Sequence, residues 1–139
     1  MRVLIVDDHP MVIEGCRGML SGQKDIEVIE AHNADEALEK YASTAPDVIV
    51  LDINLPGLSG FELLRLLLKR NPDAKVIVFT MNDDPVFAAR AIERGARGYL
   101  AKNEDPKVFI KALRSVAAGE RYLSGNLALR LAFADQSLT

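Results

Sequence analysis

Apolar residues fall along the chain in two rhythms. Four short runs, at 3–6, 48–51, 76–79 and the weaker 99–101, are continuous rather than alternating. Each is rich in β-branched or aromatic residues and too short for a helix. Each therefore reads as a strand of a parallel sheet, buried on both faces. A fifth run, Ile26-Glu27-Val28-Ile29-Glu30, carries carboxylates inside the strand pattern. That places it at an edge, where glutamates also deter pairing with another sheet.

Between the strands the apolar period becomes helical. Asn33 stands three positions before Glu36, a capping pattern, and Ala37, Leu38 and Tyr41 then form an apolar face. Asp84-Pro85 and Asp105-Pro106 each set a capping carboxylate before a proline at the first helical position. After the second, Val108, Phe109, Ala112, Leu113 and Val116 repeat at helical spacing until Gly119. Pro10 and the loop at 57–60 introduce two further helices. Five strands alternating with five helices predict a doubly wound α/β domain over residues 1–119. Beyond it, Leu123, Leu127 and Leu131 recur every fourth residue, which predicts a short amphipathic helix within a linker at 120–139.

Composition narrows the class. A chain of 139 residues is one domain's worth and can bury a core without disulfides or zinc. The single cysteine, Cys16, rules out a disulfide framework or a thiolate metal cluster and reads as a small core residue. No apolar run approaches the ~20 residues of a membrane span, and the opening run is too short for a signal peptide. A cytoplasmic location and no membrane partner are expected. The formal net charge of −3 argues against this chain itself holding DNA by its phosphates.

Ligands of open parallel sheets bind beyond the carboxyl ends of the strands. There the first strand delivers Asp7 and Asp8, the third Asp52, the fourth Thr80 and the fifth Lys102. Singly, each has a plain reading: Asp7-Asp8 as a helix cap, Asp52 as a turn residue, Thr80 as a strand residue, Lys102 as a solvated charge. Their shared position at one end of one sheet is what singles them out. Three crowded carboxylates repel unless a cation intervenes, and Mg²⁺ suits hard oxygen ligands completed by a phosphate. An aspartate beside such an ion can attack phosphorus and form an acyl phosphate. Lys102 and Thr80 would then neutralise and bond the phosphoryl oxygens.

The motifs are Val-Asp-Asp-His (Asp7, Asp8), Val-Leu-Asp-Ile-Asn-Leu-Pro-Gly (Asp52 to Gly57), Phe-Thr-Met (Thr80) and Gly-Tyr-Leu-Ala-Lys (Tyr99, Lys102). Over about residues 1–119 they resemble the response-regulator receiver domain, the phosphoacceptor of bacterial two-component signalling. The resemblance implies a flavodoxin-like, five-stranded sheet ordered 2-1-3-4-5. It implies phosphorylation of Asp52 by a sensor histidine kinase, assisted by Thr80 and Lys102. Mg²⁺ would be held by Asp8, Asp52 and the Asn54 carbonyl, with Asp7 acting through an intervening water. Thr80 and Tyr99 would form the switch pair, and the only catalysis would be the domain's own phosphorylation and dephosphorylation. The alanine-rich stretch at 85–94 is the candidate mobile helix.

Asp-Asp-His-Pro, Gly-Ala-Arg-Gly-Tyr-Leu and Ala-Ala-Gly-Glu-Arg-Tyr-Leu-Ser are most similar to the subfamily that carries a LuxR/NarL-type helix-turn-helix domain. That likeness implies transcription regulation, with DNA bound only by a C-terminal domain that would follow Leu138-Thr139. A homodimer on phosphorylation would use the first and last helices, where Lys107, Lys111 and Arg114 form a basic stripe. Two positions depart from the pattern: Asn103 follows Lys102 where proline is usual, and Met81 is bulky beside Thr80. His9 reads as a helix-entry residue rather than a ligand. Three alternatives remain at this point: a free-standing relay receiver, an Mg²⁺-dependent phosphatase of the haloacid-dehalogenase type, and a flavodoxin-like cofactor binder. The phosphatase would need a second carboxylate where Asn54 stands; in the cofactor binder Asp7 and Asp8 would repel the phosphate.

Overall fold

The structure, a computed structural model, describes residues 1–81 and 85–123. In chain order the elements are β1 (Arg2–Val6), α1 (Pro10–Leu20), β2 (Glu27–Ala31), α2 (Ala34–Thr44), β3 (Val48–Asp52) and α3 (Gly60–Arg70). They continue with β4 (Val76–Thr80), α4 (Pro85–Glu93), β5 (Gly98–Ala101), α5 (Pro106–Ala117) and β6 (Tyr122–Leu123). All strand pairings are parallel, in the order β2-β1-β3-β4-β5-β6.

The continuous apolar runs follow from burial on both faces. Leu4, Val6, Ile49, Leu51, Val76 and Val78 pack with residues of α2, α3 and α4. Their alternates Val3, Ile5, Val48, Val50, Ile77 and Phe79 pack with residues of α1 and α5. All five residues of β3 and of β4 are buried, whereas β2, the charged run, lies at the edge.

Helix starts obey local chemistry. The Asn33 side chain accepts from the Glu36 N–H, and Glu36 Oε2 accepts in return from the His32 N–H at 2.7 Å. Asp105 caps α5 by accepting from the Lys107 N–H at 2.8 Å. Asp84 lies outside the described residues. Ser59, not singled out in the sequence, caps α3 by accepting from the Glu62 N–H.

The expected five-stranded sheet is corrected to six strands. After α5 the chain turns at Gly119, whose φ of +93° favours glycine, and Tyr122–Leu123 pairs with Gly98 and Tyr99 of β5. A two-residue strand is too short to leave a periodic signal. Leu123 thus belongs to a strand and does not open the predicted helix; Leu127 and Leu131 lie outside the described residues. Among the described residues, no helix is long and apolar enough to cross a membrane.

Candidate functional site

Strand register builds the site. Val6 of β1 pairs with Leu51 of β3, so the next residues, Asp7 and Asp52, leave adjacent strands at the same level. Asp7 is fully buried and Asp52 is 2% exposed, while Asp8 is partly open. Thr80 ends β4, opposite Ala101 of β5. The Lys102 N–H donates to the Thr80 carbonyl at 2.8 Å, continuing the ladder and fixing the lysine at the sheet end.

The side chains converge. Lys102 Nζ lies 2.7 Å from Asp7 Oδ2 and 3.3 Å from Asp52 Oδ2. Asp7 Oδ1 accepts from the His9 N–H at 2.8 Å, and Asp52 Oδ1 accepts from the Asn54 N–H at 3.0 Å. Asn54 itself is exposed. Burial works against the Lys102 ammonium, but hydrogen bonding to Asp7 and the charges of Asp52 and Asp7 outweigh it and hold its pKa above the ordinary lysine value.

Lys102 pairs with two of the three carboxylates, Asp7 and Asp52. Among the described residues, beyond the Lys102 ion pairs and a His9 contact, no hydrogen-bond donor serves Asp7 Oδ2, Asp8 Oδ1 or Asp52 Oδ2. Buried acceptors left so are costly, and a hard divalent cation could satisfy them. Asp7, Asp8, His9 and Asp52 each bring a ligand atom within 4.8 Å of the others. The donor set therefore fits Mg²⁺.

The acidic pair is not a helix cap. His9 is the N-cap of α1, and its side chain makes no cap bond. Its Nδ1 turns instead to the carboxylates, 3.1 Å from Asp7 Oδ1 and 3.1 Å from Asp8 Oδ1. Sequence reasoning placed His9 at the helix entry but missed this contact. Gly60 was also missed as a supporting residue: a Cβ there would stand 2.5 Å from the Asp52 carbonyl oxygen and 2.5 Å from Ile53 Cα. Only glycine lets α3 start this close beneath the aspartate.

Tyr99 is fully buried, and β6 pairs along β5 beside it. It packs in the same cluster as Val78, Ala88 and Ala91. Since Val78 pairs with Tyr99 and Thr80 with Ala101, side-chain alternation puts Thr80 and Tyr99 on the same sheet face. On the other face, burial and the Asp7 charge push the Cys16 thiol up to about 12, with Lys102 opposing, so little of it is thiolate at neutral pH. A groove of about 420 Å³ beside the carboxylates is lined by Met11, Val12, Met19, Phe79 and Met81 together with His9 and Lys102. Lys107, Lys111 and Arg114 are all exposed on α5, and Arg114 pairs with Asp25 and Gln23.

The family model described as the response regulator receiver domain matches residues 3–114. Response regulator GacA of Pseudomonas viridiflava is 38% identical over 133 residues, which is 95% of this chain and 62% of that protein. The nitrate/nitrite response regulator protein NarL of Escherichia coli (strain K12) is 39% identical over 123 residues, 88% of this chain and 57% of its own length. The crystal structure of a two-component response regulator of the LuxR family from Aurantimonas sp. SI85-9A1 matches with a TM-score of 0.90 at 37% identity, covering 96% of each chain. The chain spans about three fifths of the length of the curated relatives it matches.

Proposed function

The chain belongs to the response regulator receiver domain family of two-component systems, and on that premise we propose that it is a phosphorylation switch whose acceptor is Asp52. The observation that carries this reading is the buried Asp52 carboxylate, 3.3 Å from the Lys102 ammonium and clustered with the carboxylates of Asp7 and Asp8.

The phosphoryl donor is a phosphohistidine of a sensor histidine kinase. An Asp52 carboxylate oxygen attacks phosphorus, the P–N bond breaks, and the histidine leaves with its bonding pair and takes up a proton. Asp8, Asp52 and the Asn54 carbonyl would hold Mg²⁺, with Asp7 in the outer sphere. Mg²⁺, when bound, offsets negative charge on the transferring group and on the carboxylates. Lys102, already 3.3 Å from Asp52, turns its ammonium to a phosphoryl oxygen, and the Thr80 hydroxyl donates to another. A phosphoryl group adds about −1.5 to −2 of charge, so Thr80 gains by moving toward it. Tyr99, on the same face, then shifts against α4, which rests on the small side chains of Ala88 and Ala91. Exchange protection in α4 equal to that of β3 would contradict this mobile role.

Asn54 stands where a phosphatase of the haloacid-dehalogenase type needs its second carboxylate, so the acyl phosphate persists as a signal. The domain acts on no outside substrate and catalyses only its own phosphorylation and dephosphorylation. Its output is transcriptional, through a LuxR/NarL-type helix-turn-helix domain of a cytoplasmic regulator; the likeness to a LuxR-family response regulator and the greater length of the GacA and NarL relatives support this. Phosphorylation favours a homodimer through α1 and α5. Incubation with Mg²⁺ and acetyl phosphate followed by intact mass tests the reading. One phosphoryl group is expected on the wild type and none on Asp52→Asn or with chelator. Many turnovers of phosphomonoesters would point to the phosphatase instead.

A further inference from the structure

The phosphoacceptor chemistry leaves His9 without a role, yet its geometry is specific. Pro10 confines the preceding residue to extended backbone, and His9 sits at φ −100°, ψ 110°. Its N–H is tied to Asp7 Oδ1 at 2.8 Å, so loop and ring are held together. The ring forgoes the cap of α1; its Nδ1 makes a hydrogen-bond contact with Asp7 Oδ1 at 3.1 Å and stands 3.1 Å from Asp8 Oδ1. Neighbouring ligand atoms on an octahedral ion with bonds of ~2.1 Å stand about 3.0 Å apart, close to this spacing. Lys102 occupies the other side of the cluster, on the Oδ2 atoms of Asp7 and Asp52. Asp7 Oδ1 is taken up by His9, whereas among the described residues Asp8 Oδ1 has only the His9 Nδ1 contact, so Nδ1 and Asp8 Oδ1 are the pair a cation can share.

We propose that His9 supplies an imidazole nitrogen to the cation held by Asp8 and Asp52, so that the site favours nitrogen-accepting divalent ions such as Zn²⁺ and Co²⁺ over Mg²⁺. This rests on the reading of the carboxylates as a metal site. Any carboxylate cluster gains some affinity along the Irving–Williams order; the imidazole adds a preference that Mg²⁺, a hard ion content with oxygen and water, does not share. The site would then respond to the identity of the available metal as well as to the phosphodonor.

The test is metal binding by the whole chain, without phosphodonor. Zn²⁺, Co²⁺ and Mg²⁺ are titrated calorimetrically into the wild type, His9→Ala and His9→Gln, and the Mn²⁺-loaded proteins are examined by electron spin echo envelope modulation. Expected are a directly coordinated ¹⁴N signal in the wild type that both variants lose, and a tenfold or greater loss of Zn²⁺ and Co²⁺ affinity with Mg²⁺ changed less than threefold. His9 is 63% exposed at its side chain, so both variants should keep the wild-type circular dichroism. An unchanged ¹⁴N signal in His9→Ala, or equal losses for Zn²⁺ and Mg²⁺, would overturn the role of His9 and leave the metal site standing. Wild-type binding of every ion no tighter than in Asp52→Asn would overturn the metal site as well.

Discussion

Lys102 is held more closely by Asp7 than by the proposed acceptor: Nζ stands 2.7 Å from Asp7 Oδ2 and 3.3 Å from Asp52 Oδ2. Asp7 is fully buried, so the lysine offsets a charge that water cannot reach. Lys102→Met strands that charge and is expected to lower unfolding free energy by about 3 kcal/mol in urea titration. Asp52→Asn leaves the closer pair intact and removes one repelling carboxylate. It should raise stability by about 1 kcal/mol, the order of a screened charge pair. A Lys102→Met loss no larger than that of an exposed lysine would contradict the buried pairing.

Divalent ion should stabilise the fold by mass action. At a hundredfold excess over Kd the gain is about 2.7 kcal/mol, read as a rise in Tm with Mg²⁺ and its reversal by chelator. Asp8→Asn and Asp52→Asn are each expected to flatten the Mg²⁺ response. An equal response in either variant would remove that residue from the ligand set.

Gly60→Ala should be disruptive for its size. The added carbon meets backbone atoms of Asp52 and Ile53 at 2.5 Å, and backbone cannot swing aside as a side chain can. Overpacking of this kind costs about 1–3 kcal/mol and should shift Asp52, slowing acetyl phosphate labelling. Gly22→Ala, with open space around its Cβ, serves as the control.

The Arg114 guanidinium, hydrogen-bonded to Asp25, pulls that carboxyl from 3.8 down to about 2. A lowered folded-state pKa contributes stability above the ordinary value, and the contribution is lost as pH falls from about 3.8 through about 2. Carboxyl NMR should find the Asp25 midpoint near 2 in the wild type and near 3.8 in Arg114→Gln. The two proteins' acid-unfolding curves should converge as pH drops through that window.

With its thiol pushed up to about 12 and its side chain buried on α1, Cys16 should resist iodoacetamide at pH 8 in the native state. Labelling is expected only at the rate of global unfolding. Fast labelling would mean that α1 opens locally from the sheet.

The five main strands were legible because parallel strands buried on both faces must be apolar throughout, as residues 48–51 and 76–79 are. The acids at their ends were legible because topology puts every C-terminal end on one side. β6 was not: two residues carry no period, and Leu123 fell into a fourfold leucine spacing that mimics a helix. The pairing of β6 beside Tyr99 was hidden for the same reason. The Ser59 cap was readable in principle, for Glu62 follows it by three positions. The turn of the His9 ring is a tertiary fact that local sequence does not encode.

Because β6 runs parallel to β5, the backbone at Leu123 is travelling toward the same rim as Asp52. Three strand spacings, about 14 Å, separate the two along the sheet. In the proposed switch, Thr80 of β4 and Tyr99 of β5 stand between them, one and two strands from Asp52. A signal need not cross the domain to be felt; it has only to travel sideways.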